Sequence, residues 1–253
     1  MKPLLHAILI TLIFTQGMSL WAQPLPEEEE VIELTFRSLL MGGDDERIST
    51  IFFIDEKKRR TYIDANMHFL SERTYKYKGL NPIIFYDDSG PIASFEVPKV
   101  PEGVERLSDA ILFFIPNPVQ EPGKPAYIVY AMDNSHKAYP PGSYLLMNFT
   151  KRRVAARIGD RNVELRPGQQ QLVTLTFGEN RNIAARFWEE IDGEWVRSYQ
   201  VAWYYRHTAR QMVFLTQNND RRGTMSIRMV SDWGRPPPPP EPETEDAAQS
   251  TSR

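Results

Sequence analysis

Residues 182–205 read NIAARFWEEIDGEWVRSYQVAWYY, and the dipeptide Asp192-Gly193 decides how they fold. Asp-Gly between alternating apolar residues is the strongest short-range hairpin signal, because both positions tolerate the positive φ of a type I′ turn. A two-residue loop there fixes the register. Ile191 faces Glu194, Glu190 faces Trp195, Trp188 faces Arg197 and Arg186 faces Tyr199. Side chains alternate across a sheet, so Arg186, Trp188, Glu190, Trp195, Arg197, Tyr199, Val201 and Trp203 are expected on one face. Ile183, Ala185, Phe187, Val196, Ser198, Gln200 and Ala202 are expected on the other.

Working outward, the same alternation returns between turn signals. Ile32, Leu34 and Phe36 oppose Glu33, Thr35 and Arg37 in a half-buried strand. Short runs follow at 51–54, 62–63, 83–86 and 92–97, the third closed by Asp87-Asp88-Ser89-Gly90. The run 111–115 is apolar throughout, which predicts a central strand, and 127–130 follows it. After Tyr139-Pro140-Pro141-Gly142 come 144–149, then Val154, Ala156 and Ile158, then Val163 and Leu165, then Val173, Leu175 and Phe177. Runs at 212–215 and 224–230 complete the series. Turns spaced by about 8–15 residues belong to sandwiches and barrels.

The expectation is an all-β fold of two antiparallel β-sandwich domains of immunoglobulin-like character, with one larger sandwich or barrel as the alternative. Proline removes backbone donors, so 139–142 marks the boundary between domains 23–138 and 139–233. The proline-bearing loop 117–125 is the competing boundary. PPGSYLLMNF (140–149) followed by ELRPGQ (164–169) resembles the small β-sandwich modules of exported bacterial proteins. That resemblance implies a fold and no activity.

The two ends differ from the body. Lys2, a mostly apolar run from Leu4 to Leu20, and the small residue Ala22 give 1–22 the pattern of a cleaved signal peptide. The run is short for a spanning helix, which needs about 20 apolar residues. An extracytoplasmic protein, periplasmic or secreted, with no stable membrane span after cleavage is expected. The chain has no cysteine, so disulfides, thiolate chemistry and a lipidated N-terminal cysteine are excluded. That absence fits a bacterial exporter. Residues 234–253 carry five consecutive prolines and then EPETEDAAQSTSR. With almost nothing apolar to bury, this tail is expected to be disordered, its proline run in polyproline II.

The chemistry-bearing residues form no motif. With 30 basic and 33 acidic residues and a net charge of −3, the chain lacks the basic excess of nucleic-acid binders. His68, His136 and His207 stand far apart, outside any metal-ligand spacing. Asp133, Ser135 and His136 are too close on one turn to align a nucleophile, base and orienter. The acidic pairs 44–45, 87–88 and 189–190 raise the two-carboxylate chemistry of glycosidases, which sequence alone cannot place. Asn148-Phe149-Thr150 is a sequon inside a predicted strand. The basic clusters 57–60, 151–153 and 221–222 read as solvated turns, or as an anion-facing surface.

The reading is therefore an exported, non-enzymatic binding or structural module of the bacterial cell envelope or exterior, with no cofactor and no metal. Its partner is a protein or a cell-envelope polymer. Arg186, Trp188, Trp195, Arg197 and Tyr199 are the candidate contact residues, because Trp, Tyr and Arg are enriched at binding hot spots. The competing account of the same ladder is structural: a rigidified exposed sheet, or a core face with arginine stems reaching outward. Two further functions remain open. One is a carbohydrate-active hydrolase using paired carboxylates; the other is an assembly or chaperone factor acting through a sheet edge. N-terminal sequencing of the mature protein should begin at Gln23, and a mature form that keeps Met1 would contradict the signal reading.

Overall fold

The computed structural model describes residues 30–42, 47–48, 50–101, 103–119, 121, 123–217 and 224–233. The expected signal peptide 1–22, the tail 234–253 and the basic pair 221–222 lie outside the described residues. Eighteen strands and no helix are found among the described residues. They are β1 (Val31–Leu40), β2 (Arg47–Ile48), β3 (Phe52–Ile54), β4 (Arg60–Tyr62), β5 (Ala65–Asn66), β6 (Tyr75–Leu80), β7 (Ile83–Asp87), β8 (Gly90–Phe95) and β9 (Asp109–Pro116). Then come β10 (Tyr127–Asp133), β11 (Ser143–Asn148), β12 (Val154–Ile158), β13 (Arg161–Leu165), β14 (Gln170–Thr174), β15 (Arg181–Ile191), β16 (Glu194–Tyr205), β17 (Arg210–Gln217) and β18 (Met225–Asp232).

Four four-stranded sheets carry the architecture, and β2 and β5 add a two-stranded ribbon. Sheet I has the order β4-β3-β7-β8 and sheet II the order β10-β9-β1-β6. Sheet III is β14-β11-β17-β18 and sheet IV is β13-β12-β15-β16. Sheets I and II bury one core, around Phe36, Phe53, Phe85 and Phe114. Sheets III and IV bury another, around Tyr144, Phe187, Trp203 and Val213. Once the small β2–β5 ribbon is set aside, the strand order of sheets I and II repeats in sheets IV and III. Each set contains one parallel pair, β1 with β9 and β11 with β17, and its other pairings are antiparallel.

A third apolar cluster joins the two sets. Leu39, Ile111, Phe113 and Met132 of sheet II meet Leu145, Met147, Met212, Phe214 and Val230 of sheet III. Phe113 and Phe214, on the equivalent strands β9 and β17, cross edge-on with ring centres 6.0 Å apart. The layers therefore stack in the order I, II, III, IV. This explains why β9, β11 and β17 are apolar without alternation: both of their faces are covered, one by their own core and one by the opposing sheet.

Charge sits in this middle layer too. Asp232, 2% exposed, takes Arg210 from the neighbouring strand at 3.0 Å and Arg37 from β1 of sheet II at 2.7 Å. Arg210 spends its remaining donors on the connection between the halves. It reaches the Asn134 carbonyl at 2.9 Å, the Asn134 side-chain oxygen at 2.7 Å and the Tyr139 carbonyl at 3.1 Å. Removing one partner of a buried, hydrogen-bonded ion pair costs about 3–5 kcal/mol, because the other charge is left uncompensated. Asp232→Ala should lower the unfolding free energy by about that much in urea titration. A loss under about 1 kcal/mol would mean the network is solvated.

Candidate functional site

The β15–β16 hairpin forms as its turn dictates. Asp192 and Gly193 hold φ of 53° and 84°, the positive values a type I′ loop requires. From the turn the register runs as expected through Ile191–Glu194, Glu190–Trp195 and Trp188–Arg197. It then slips. Phe187 pairs with Tyr199, leaving Ser198 as an extra residue on β16. The bulge directs the Ser198 hydroxyl to Glu189 Oε2, to which it donates at 2.6 Å. Glu189 is buried and also takes Arg152 at 3.1 Å.

The bulge corrects the expected faces. One inserted residue exchanges inside and outside along the rest of the strand. Tyr199, Val201 and Trp203 therefore share the inward face with Phe187, Ala185 and Ile183. Tyr199 packs on Phe187 at 6.1 Å, and Trp203 stacks on Tyr144 at 5.5 Å. Gln200, Ala202 and Tyr204 take the outward face instead. Of the five candidate residues, Arg186, Trp188, Trp195 and Arg197 stay together on the outer, solvent-facing side of sheet IV, and Tyr199 leaves.

That outer face is ordered in rows across the strands. Nearest the hairpin tip, Arg153 pairs with Glu190 at 3.0 Å and lies 5.6 Å from the centre of the Trp195 ring. Arg153 also meets Glu164, and this bond, more than any other contact, raises its pKa. Trp195 is 44% exposed. The next row runs Glu164, Ala155, Trp188, Arg197. The third runs Asn162, Arg157, Arg186, Gln200, so two arginines stand directly opposite each other. Among the described residues, no carboxylate lies within ion-pair distance of Arg157 or Arg186. Like charges directly opposed on a sheet are destabilising. A further row pairs Ala184 with Ala202, and Tyr204 closes the face opposite Asn182. Arg157 escaped the sequence reading. Its outward place in VAARI is visible there, but its position beside Arg186 follows only once β12 is known to pair with β15.

The other candidate groups are engaged in structure. Glu189 and Glu190 serve separate ion pairs. Asp87 caps its own turn, accepting from the Ser89 and Gly90 amides at 2.7 and 3.2 Å. Asp44 and Asp45 lie outside the described residues. Asp133 and Ser135 shape the turn that leads to Tyr139. Asn148 of the sequon is buried, donating to the carbonyls of Arg152 and Leu165. Among the described residues, no group of three or more metal-ligating side chains converges, and no helix is long and apolar enough to cross a membrane. A cavity of about 610 Å³ lies beside the 66–73 loop and is lined in part by Tyr62, Asp64, Phe69, Glu72 and Arg73. Set against known proteins, the chain matches no family model and no curated relative. The site thus rests on its own geometry.

The opposed arginines make a stability test of the site. Arg157→Glu would turn a like-charge pair into an opposite-charge one, a change of about 0.2–1 kcal/mol for a cross-strand pair. The variant should unfold at higher urea than the parent chain, and a lower midpoint would show that Arg157 is already compensated.

Proposed function

We propose that the chain is an exported, non-enzymatic binding module of the bacterial cell envelope or exterior. In this reading it holds an anionic envelope polymer against the outer face of sheet IV. One observation carries it: Arg157 and Arg186 face each other on a solvent-facing sheet, and among the described residues no carboxylate lies within ion-pair distance of either. Folding alone gives no reason for such a pair, and an anionic ligand does. Guanidinium forks bind carboxylate and phosphate in a bidentate way. Trp188 and Trp195 next to them offer flat apolar rings of the kind found at binding hot spots.

Export is read from the pattern of 1–22. The division into domains 23–138 and 139–233 is supported by the repeated strand order and by the two separate cores. The immunoglobulin-like character rests on the two-sheet sandwich build of each half. The strand order common to the two halves differs from the immunoglobulin one, since the first and second principal strands of each half lie in opposite sheets and not in a shared sheet. The hydrolase reading is less favoured because the described acidic pairs are spent on ion pairs and turns. The sheet-edge reading finds its best edge in β16, which the Ser198 bulge interrupts, and bulges discourage strand addition.

Trp188→Ala with Trp195→Ala tests the reading. Binding to an isolated envelope fraction should be lost, and binding by the parent chain should weaken as salt rises. The melting temperature should fall by no more than about 2–4 °C, since about 1 kcal/mol shifts a chain of this size by that amount. Unchanged binding, or a collapse of stability, would make the ladder structural.

A further inference from the structure

We propose that the ligand of the outer face of sheet IV is a uronate-bearing polysaccharide, whose sugar rings stack on Trp188 and Trp195 and whose carboxylate is taken by Arg157 and Arg186. This assignment rests on the anion-binding reading of the face and narrows the anion to a carboxylate carried on a sugar ring.

Charge and aromatic area occupy different rows of the face. Arg157 and Arg186 stand opposite each other on β12 and β15, flanked by Asn162 on β13 and Gln200 on β16. Neighbouring strands lie about 4.8 Å apart, so the two guanidiniums can take one carboxylate between them. Each guanidinium fork offers a carboxylate two parallel N–H bonds. The flanking amides are uncharged and hold donors and acceptors together, which suits hydroxyls better than a second charge. The Gln200 side-chain oxygen accepts from Arg197 Nη1 at 3.3 Å, tying that end of the row to the next. The next outward position on β15 is Trp188, about 6.6 Å along the strand from Arg186. Beyond it Trp195, opposite Glu190, is 44% exposed. The electron-rich face of an indole takes the slightly positive C–H face of a sugar ring. Around Trp195 the charge is balanced, because Arg153 is paired with Glu190 at 3.0 Å and with Glu164. The surplus positive charge stands at Arg157 and Arg186, with Arg197 on the β16 side.

Polyanions differ in how they meet this pattern. A polyphosphate carries charge at every unit and no flat face, so it leaves both tryptophans unused and brings charge onto Glu190 and Glu164. A nucleic acid can stack its bases, but it too carries a phosphate at every unit, against the same two carboxylates. A hexuronate has a C–H face and a single carboxylate on one ring, and the sugar beside it can be neutral. Neutral sugar over the tryptophans, with the uronate carboxylate at the arginine row, uses both kinds of group and avoids the two glutamates.

Hyaluronan oligosaccharides, in which glucuronate alternates with a neutral sugar, are the probe, titrated by calorimetry into the full chain at low ionic strength. The comparisons are the same oligosaccharides with their carboxylates reduced to alcohols, polyphosphate, and oligothymidylate. Hyaluronan should bind about tenfold or more tighter than each of the three, the scale of hydrogen bonds to a charged group. Arg157→Gln with Arg186→Gln should weaken hyaluronan by about the same factor. That variant should melt no lower than the parent, since it removes a like-charge pair. Trp188→Ala should weaken hyaluronan more than polyphosphate. Reduced oligosaccharide binding as tightly as hyaluronan overturns the carboxylate contact and the proposal with it. Hyaluronan binding that neither the arginine pair nor Trp188→Ala alters places the ligand elsewhere and overturns it as well. Polyphosphate or oligothymidylate binding as tightly as hyaluronan, or tighter, overturns the polysaccharide and leaves the face an anion site. Where no polyanion binds, the anion-binding reading of the face falls, and the proposal falls with it.

Discussion

The carboxylate of Asp232 constrains the whole stack. It is buried between two sheets, where an uncompensated charge is not tolerated. Its partners come from both sides: Arg210 from β17 of its own sheet and Arg37 from β1 of the opposing one. Sheets II and III therefore pack in a position that brings both guanidiniums to one carboxylate. Arg210 also reaches Asn134 and Tyr139, so the connection between the halves is tied to the same point. A buried network of this kind adds little net stability over an apolar replacement, and fixing one arrangement among several is the role it fits. With II and III facing each other, sheets I and IV are left outermost. The Trp–Arg face of sheet IV is solvent-facing because of that order.

Legibility in the sequence followed the range of the interactions. Asp192-Gly193 gave the hairpin and its register as far as Trp188, since turn geometry is local. The Ser198 bulge lay beyond reach. It depends on Glu189 and, through it, on Arg152 from the loop before β12. That one residue moved Tyr199 from the candidate site to the inner face. The unbroken apolar run of β9 did signal a central strand, while β11 and β17 were legible only as strands, since their second buried face depends on the packing of sheet III on sheet II. The parallel pairing of β1 with β9 did not show, because Thr35 finds Asp109 across most of the first half. The alternating YKYKGL of β6 was passed over as a strand. The repeated strand order was hidden because unlike sequences carry the same connectivity.

The charges of sheet IV divide by side. On the inner side Glu189 is closed off by Arg152 and Ser198. On the outer side Arg153 is satisfied by Glu164 and Glu190, while Arg157 and Arg186 oppose each other. The matching outer face of sheet I is built otherwise. Tyr62, Phe52 and Tyr86 form a row with ring centres 5.4 and 5.7 Å apart, and Arg60 lies 4.8 Å from the centre of the Phe52 ring. Two faces equivalent in strand order have thus taken different chemistry, one aromatic and one cationic.

The repeated connectivity has a consequence for how such a molecule arises and changes. Sheets II and III meet through equivalent strands, as the two subunits of a two-fold dimer do. Two separate sandwiches would have to find each other by diffusion, and their pairing would vanish on dilution. Joined in one chain, they meet at an effective concentration of about millimolar, set by the linker and independent of abundance. A single chain also lacks the symmetry constraint. In a homodimer every substitution appears twice, so a charge added to one outer face is added to both. In a single chain each half can drift alone. The arginines of sheet IV and the aromatic row of sheet I are what that freedom allows: one strand order carrying two unlike outer surfaces.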